Sequence, residues 1–412
     1  MKTITIDIGT TTIKCASFEN GEIKGYFGKE YALSTKGKCV EQNPEDWCRI
    51  LEEGLRQIGD ISDACGISIS AQGITILPVD ENGTPLSPAL SWLDTSAEEE
   101  LAAFEKEFGA ENITALTGKK VLPCYTLPKI KKMVDAGMRA AKFLMPLDYI
   151  GFLLTGSYYT DYTMASGTML FDIEKRRYHK PYLDFCGITE EQLATPVEMG
   201  EKVGCVHSAA AARFGIPEGI PVIMGAQDQK ISAYACKLKK GVATVSLGTS
   251  TAVSILEAGA ADMAVFAYNG KDFIYESALN TTGAAIKWLK NLAFGSYEEM
   301  DACALEAGGD NGAVFDSDFT DGAAIRNLTL SVNRGHLVNA LYQDIAKRIR
   351  ALLPDEVSHL VLFGGGAKSR LLCDTIARVT GCTVEIPPSV EVALAGADLL
   401  VRDYYKREEK LC

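Results

Sequence analysis

Ile4, Ile6 and Ile8 alternate with polar residues, Gly9-Thr10-Thr11-Thr12 breaks the alternation, and the pattern resumes from Ile13 to Glu19 before Asn20-Gly21. A period of two on either side of a short polar loop predicts a β-hairpin, and Asn-Gly predicts a type I′ turn at its end. Asn43-Pro44 has the form of an N-cap and first helical residue, followed at helical spacing by Trp47, Ile50, Leu51, Leu55 and Ile58. Strands are expected at 66–70 and 74–79, a turn at 81–83, mainly helical sequence from 98 to 154, and a polar, aromatic loop over 161–172. Pro221 to Gly225 reads as a buried strand ending in Ala226-Gln227-Asp228-Gln229, after which Ile231, Tyr234 and Ala235 predict a helix. Asp228 is thus expected at a strand-to-helix junction.

The run from Val242 to Val253 repeats the organisation of Ile4 to Ile13. Asp7-x-Gly9-Thr10-Thr11 returns as Ser246-x-Gly248-Thr249-Ser250, 239 positions later. Two similar halves are implied, with a boundary near 238–241 and domains at 1–238 and 239–412. Late in the chain, Leu337, Leu341, Ile345, Ile349 and Leu352 mark a long helix stopped by Pro354. A strand at 359–363, the loop Gly364-Gly365-Gly366-Ala367-Lys368-Ser369 and a helix running to Gly381 follow. Such a strand, glycine loop and helix gather free backbone N–H groups and a helix's positive end at one place, which suits a phosphate.

Composition narrows the function. With 412 residues, 47% hydrophobic and 23% charged, the chain is globular and long enough for two cores. Lys and Arg total 41 against 54 Asp and Glu, a net charge of −13. That sign argues against nucleic acid or an anionic membrane as partner. The opening residues reach Asp7 too soon for a signal peptide, and no apolar run approaches the roughly 20 residues of a membrane span. The twelve cysteines are dispersed, no two closer than nine positions, without a CxxC pair. Dispersed thiols and the absence of a leader lead us to expect a cytoplasmic protein without structural zinc.

The nucleotide signature is neither of the commonest two. A P-loop would need glycines where Leu362 and Ala367 stand, and no GxGxxG follows the first strand. What remains is a duplicated Gly/Thr loop and a third, glycine-rich one. Gly9 and Gly248 let backbone amides approach phosphate, and Thr10, Thr11, Thr249 and Ser250 add hydroxyl donors. Asp7 would repel a bare phosphate, so its place beside such a loop makes sense with Mg²⁺ between them. One such loop alone is more often a turn; two matched copies reverse that reading.

These residues resemble the FGGY carbohydrate kinases, and its xylulokinase-like members most. The resemblance spans nearly the whole chain, through Asp7-Ile8-Gly9-Thr10-Thr11, Ser91-Trp92-Leu93-Asp94-Thr95, Leu154-Thr155-Gly156, Asp161-Tyr162, Ala165-Ser166-Gly167-Thr168, the loops at 246–250 and 364–369, and Glu391 to Ala397. It implies an α/β, two-domain actin/hexokinase-like (ribonuclease H-like) fold with an interdomain ATP cleft, and ATP-dependent phosphorylation of a small sugar or polyol hydroxyl. By the same resemblance Asp228 is the catalytic base, Gln72, Trp92, Asp94 and Gln229 meet the sugar, and Asp7 serves Mg²⁺. Gly9, Thr10, Thr11, Gly248, Thr249, Ser250, Gly283, Lys287, Gly365, Gly366, Ala367 and Arg370 would meet ATP. On local pattern alone, Asp228 reads as a helix N-cap before it reads as a base. Two departures bear on the sugar: Gly73-Ile74-Thr75 replaces a Met-His-Gly pattern after Gln72, and Ser96 replaces an Arg. A xylulose-like pentulose is the leading substrate, with glycerol or a tetritol, or a non-catalytic actin-like nucleotide module, as alternatives. The stretch before Asn327 is contracted, and a homodimer is left open.

Overall fold

The computed structural model describes residues 1–256, 263–320, 322–389 and 391–411. It divides into two compact units, residues 1–235 with 265–273 and 393–412, and residues 236–264 with 274–392.

In the first unit, β1 (Lys2–Ile8), β2 (Thr12–Glu19), β3 (Glu22–Glu30), α1 (Pro44–Leu55), β4 (Ile67–Ala71), β5 (Lys202–Cys205), β6 (Pro221–Gln227) and α2 (Asp228–Ala235) carry the framework. The sheet order is β5-β6-β4-β1-β2-β3. β1 and β2 are antiparallel, with Ile8 opposite Ile13, and β1, β4 and β6 run parallel. Their carboxyl ends therefore share one edge of the sheet, where Ile8, Ala71 and Gln227 stand, and parallel α/β sheets bind ligands at that edge. Ile4, Ile6, Ile8, Trp47, Ile50 and Leu51 are wholly buried. Asn43 caps α1 by accepting the Glu45 N–H at 3.1 Å, as its pairing with Pro44 predicts.

The alternation in β1 does not mark a wet face. Thr3 and Thr5 are as buried as the isoleucines, because the C-terminal helix lies over them. Thr3 Oγ1 donates to Asp398 Oδ1 at 2.6 Å and Tyr405 donates to the Cys65 carbonyl at 2.6 Å. Those contacts place residues 393–412 in the first unit, a partition that a single boundary near 238 does not describe. The 161–172 stretch holds more structure than a loop: Asp161 accepts N–H bonds from Thr163 and Met164 and caps a helix at Tyr162–Ser166.

The second unit repeats the plan. In chain order come β7 (Val242–Leu247), β8 (Thr251–Ile255), β9 (Ala264–Tyr268), β10 (Asp272–Leu279), α3 (Thr282–Ala293), α4 (Arg334–Leu352), β11 (His359–Phe363), α5 (Arg370–Thr380), β12 (Thr383–Glu385) and α6 (Val392–Leu411), of which β9 and α6 fall almost wholly within the segments assigned to the first unit. The sheet order is β9-β10-β8-β7-β11-β12. Antiparallel β7 and β8 mirror β1 and β2, while β11 and β12 run parallel to β7 as β4 and β6 do to β1. Leu341, Ile345, Ile349, Leu360, Leu362, Leu372 and Ile376 fill its core.

Candidate active site

The first Gly/Thr loop joins β1 to β2. Gly9 N–H donates to Thr12 O at 2.9 Å, Tyr31 Oη donates to Gly9 O at 2.6 Å, and Gln42 Nε2 donates to Thr10 O at 2.9 Å. These bonds fix the loop from below. Asp7 is buried at its base, accepting Ser70 Oγ at 2.8 Å, with Lys14 Nζ at 3.9 Å across the hairpin.

Gln72, just past β4, is nearly buried and exchanges both amide bonds with Gln42, at 2.7 and 3.2 Å. Gln42 thus links Gln72 to the first Gly/Thr loop. Trp92 is exposed and makes a similar link, donating Nε1–H to Thr10 Oγ1 at 2.8 Å. Asp94 is different. It is wholly buried, accepting from Val40 N at 2.9 Å and from Ser96 N and Oγ at 3.1 and 2.9 Å, so its carboxylate shapes the 91–96 turn. Beneath these loops lies Lys129, which sequence reading missed. It donates to Ser91 O at 2.6 Å and lies 3.5 Å from Ile74 O, and burial pushes its pKa down to about 7. Only the helical spacing of Leu127 and Ile130, which implies a buried stripe here, hints at it.

Asp228 begins α2 directly after β6, with no intervening loop. It is half-buried, and its Oδ1 accepts the Gln229 N–H at 2.8 Å. Asp7, next to last in β1, and Gln72 and Asp228, each just past its strand, therefore stand at the carboxyl ends of three adjacent strands.

In the second unit a cavity of about 890 Å³ opens beside β7. Gly248, Thr249, Gly283, Lys287, Gly365 and Gly366 line it, so six of the residues named for the nucleotide come together here. Ser250, Ala367 and Arg370 do not. Ala367 is buried under the loop, and the Arg370 guanidinium is turned to Asp374 at 2.9 Å. The loops meet by close backbone approach. Ala284 N–H donates to Thr249 O at 3.1 Å, and a Cβ on Gly283 would stand 2.1 Å from Gly248 O. Trp288, Asn291, Tyr297 and Tyr342 complete the lining. The helical period carried a signal for two of them: 284, 287, 288 and 291 fall on one face of α3.

Residues 2–235 match the N-terminal domain of the FGGY family of carbohydrate kinases, and residues 243–401 its C-terminal domain. The chain belongs to that family. As a member of the FGGY carbohydrate kinases it is a phosphotransferase. It is 31% identical over 278 residues to the xylulose kinase of Lactococcus lactis, a match covering 65% of this chain and 54% of that protein. With the xylulose kinase of Bacillus subtilis it is 27% identical over 404 residues, 89% of this chain and 81% of that one. The crystal structure of a ligand-bound xylulose kinase from Lactobacillus acidophilus shares its fold, with a TM-score of 0.89 at 19% identity over 98% of this chain and 90% of that one. The actin/hexokinase-like α/β fold expected from the sequence is thus the observed one. No helix among the described residues is long and apolar enough to cross a membrane.

Proposed function

We propose that this FGGY kinase transfers the γ-phosphoryl group of ATP to a hydroxyl of a small ketose of the pentulose type, with Asp228 as general base. The observation that carries this is Asp228 itself, a half-buried carboxylate held by the Gln229 N–H at the edge where β1, β4 and β6 end. As the sugar oxygen forms its bond to the γ-phosphorus, the bond from that phosphorus to the β–γ bridging oxygen breaks, ADP leaves, and the hydroxyl proton passes to the Asp228 carboxylate. A carboxylate is basic enough, since in a loose transition state the hydroxyl loses its proton late. A nucleotide switch would need no such base.

The cavity of the second unit suits ATP on chemical grounds, with backbone N–H groups of glycine loops for phosphate and the rings of Trp288 and Tyr297 for a base. Magnesium ion supplies charge neutralisation on the phosphates when bound. Asp7 fits it, a buried carboxylate at the base of the first Gly/Thr loop held by Ser70 Oγ at 2.8 Å, since Mg²⁺ is commonly bound through one or two carboxylates with waters and phosphate oxygens. Gln72 and Trp92, tied to Thr10 directly or through Gln42, would orient the sugar.

The test is ADP release with D-xylulose, D-ribulose, D-gluconate, erythritol and glycerol, over a range of Mg²⁺. The proposal expects the highest kcat/KM with a pentulose, and an Asp7→Ala variant needing more Mg²⁺ for half-maximal rate. Preference for glycerol or erythritol would move the substrate to the shorter polyols, and ADP release indifferent to every acceptor would refute kinase action on these hydroxyls.

A further inference from the structure

Lys129 is wholly buried, and its ammonium is directed at backbone carbonyls rather than at a carboxylate, with Ser91 O at 2.6 Å and Ile74 O at 3.5 Å from Nζ. Taking an ammonium out of water is costly. An apolar side chain of similar length would fill the same space without that cost, so stability alone does not explain a charge here. What the ammonium does is join two separate segments of chain, 73–76 and 90–92.

Those segments run side by side. Ile76 and Leu90 exchange both backbone bonds, at 3.0 and 2.9 Å, and Thr75 Oγ1 accepts the Trp92 N–H at 3.1 Å. Beyond Thr75 the backbone is strained. Ile74 has a φ of +71°, a conformation that a β-branched residue keeps only where its neighbours enforce it. The helix Thr126–Asp135 supplies the enforcement from below. Thr126 Oγ1 donates to Ile74 O at 2.9 Å, and Lys132 Nζ donates to Ser96 O and Oγ, both at 2.8 Å. Between them, one turn from each, Lys129 reaches both segments at once.

Trp92 follows Ser91 directly. Its ring is exposed, yet its Nε1–H is held on Thr10 Oγ1 at 2.8 Å. An exposed side chain gains entropy by leaving any single direction, so it keeps one only when the backbone that carries it is fixed. Here Ser91 is fixed by Lys129 and by its own N–H on Val40 O at 2.9 Å, and the Trp92 N–H by Thr75.

We infer that Lys129 is a positioning residue for the acceptor sugar, tying the Ile74 and Ser91 carbonyls so that Trp92 keeps its place at the first Gly/Thr loop. The inference rests on the proposed contact of Trp92 with the sugar.

Lys129→Met keeps the length of the side chain and removes the charge. Ser91 O still accepts the Asp94 N–H at 3.0 Å and Ile74 O still accepts from Thr126, so neither carbonyl is orphaned. The experiment compares the parent, Lys129→Met, Trp92→Phe and the double variant by melting temperature, KM for ATP and KM for the best acceptor among D-xylulose, D-ribulose, D-gluconate and glycerol. Lys129→Met should melt no lower than the parent and raise the acceptor KM about three- to tenfold, as for one neutral hydrogen bond, with KM for ATP unchanged. In the double variant the acceptor KM should match the larger single effect rather than the product of the two, since both act through one contact. Incorporated fluorotryptophan reports on Trp47, Trp92 and Trp288 by fluorine NMR, and Lys129→Met should move the resonance that Trp92→Phe removes. Lys129→Gln, shorter and uncharged, carries the test if Lys129→Met folds poorly. Multiplied effects in the double variant, an unmoved Trp92 resonance, or a lower melting temperature with both KM values worsened alike would overturn the inference. An unchanged acceptor KM in Trp92→Phe removes Trp92 from the sugar and the inference with it, whereas a raised KM there beside parental values in both Lys129 variants removes only Lys129.

Discussion

Replacing Gly283 by Ala sets two effects of opposite sign against each other. Gly283 is the second residue of α3, and Gly→Ala within a helix ordinarily stabilises it by about 0.8–1 kcal/mol. The surroundings oppose this. The new Cβ would lie 2.1 Å from Gly248 O and 2.9 Å from Gly248 C, both backbone atoms that no side-chain rotation can move. Restoring a normal contact separates α3 from the 248–250 loop by roughly 1 Å, and overpacking of that kind costs typically 1–3 kcal/mol. The clash wins, and Gly283→Ala should melt below the parent. A shift of about 1 Å in the loop proposed to hold phosphate should also lower kcat/KM for ATP by about 10²-fold. Gly365→Ala is the contrast, since its Cβ meets nothing within 4 Å and should leave the melting temperature nearly unchanged. Thermal denaturation, ATP-dependent kinetics and calorimetry with a non-hydrolysable ATP analogue test this. Gly283→Ala melting at or above the parent, with unchanged ATP affinity, would refute the close-approach argument.

Burial pushes the Asp148 carboxyl up to about 7 despite the N–H it accepts from Met145 at 2.8 Å. Between pH 4 and 7 the folded chain keeps a proton that the unfolded chain releases, so stability falls as pH rises through this window and levels off above it. Asp148→Asn should therefore flatten that decline and melt higher than the parent at pH 8 but not at pH 4; equal pH profiles in denaturant titrations would contradict it. Trp92→Phe keeps the ring and loses the 2.8 Å bond to Thr10. It should raise the sugar KM about three- to tenfold, as for a neutral hydrogen bond, and an unchanged KM would remove Trp92 from the sugar site.

Much of the framework was legible because its signals are local or repeated. The β1–β2 hairpin shows in the alternation of Ile4, Ile6 and Ile8, α1 in the Asn43-Pro44 cap, and the second unit in a loop recurring 239 positions on. Other features depend on distant partners. Nothing near Thr3 foretells Asp398, 395 residues away, although that bond buries a face that reads as wet. The helix at 162–166 is too short for periodicity to show and is held by its Asp161 cap. The turn at Ile74 runs against the preference of its own residue and exists only under the hold of Thr126 and Lys129. In the candidate site, Asp7, Gln72 and Asp228 were named from motifs and do stand on one sheet edge. Asp94 was also named, yet its carboxylate is spent on Val40 and Ser96, a use that motif matching cannot distinguish from contact with a ligand.

In the proposed reaction Asp228 takes the proton of the attacking hydroxyl. The most direct test of that role is single-turnover transfer of ³²P from γ-labelled ATP to the best sugar, in the parent and in Asp228→Asn. Asn caps a helix about as well as Asp. The variant should therefore keep the parent's melting temperature and ATP affinity while transfer slows by roughly 10²–10⁴-fold. Transfer at a near-parental rate would contradict the account and leave Asp228 a helix cap.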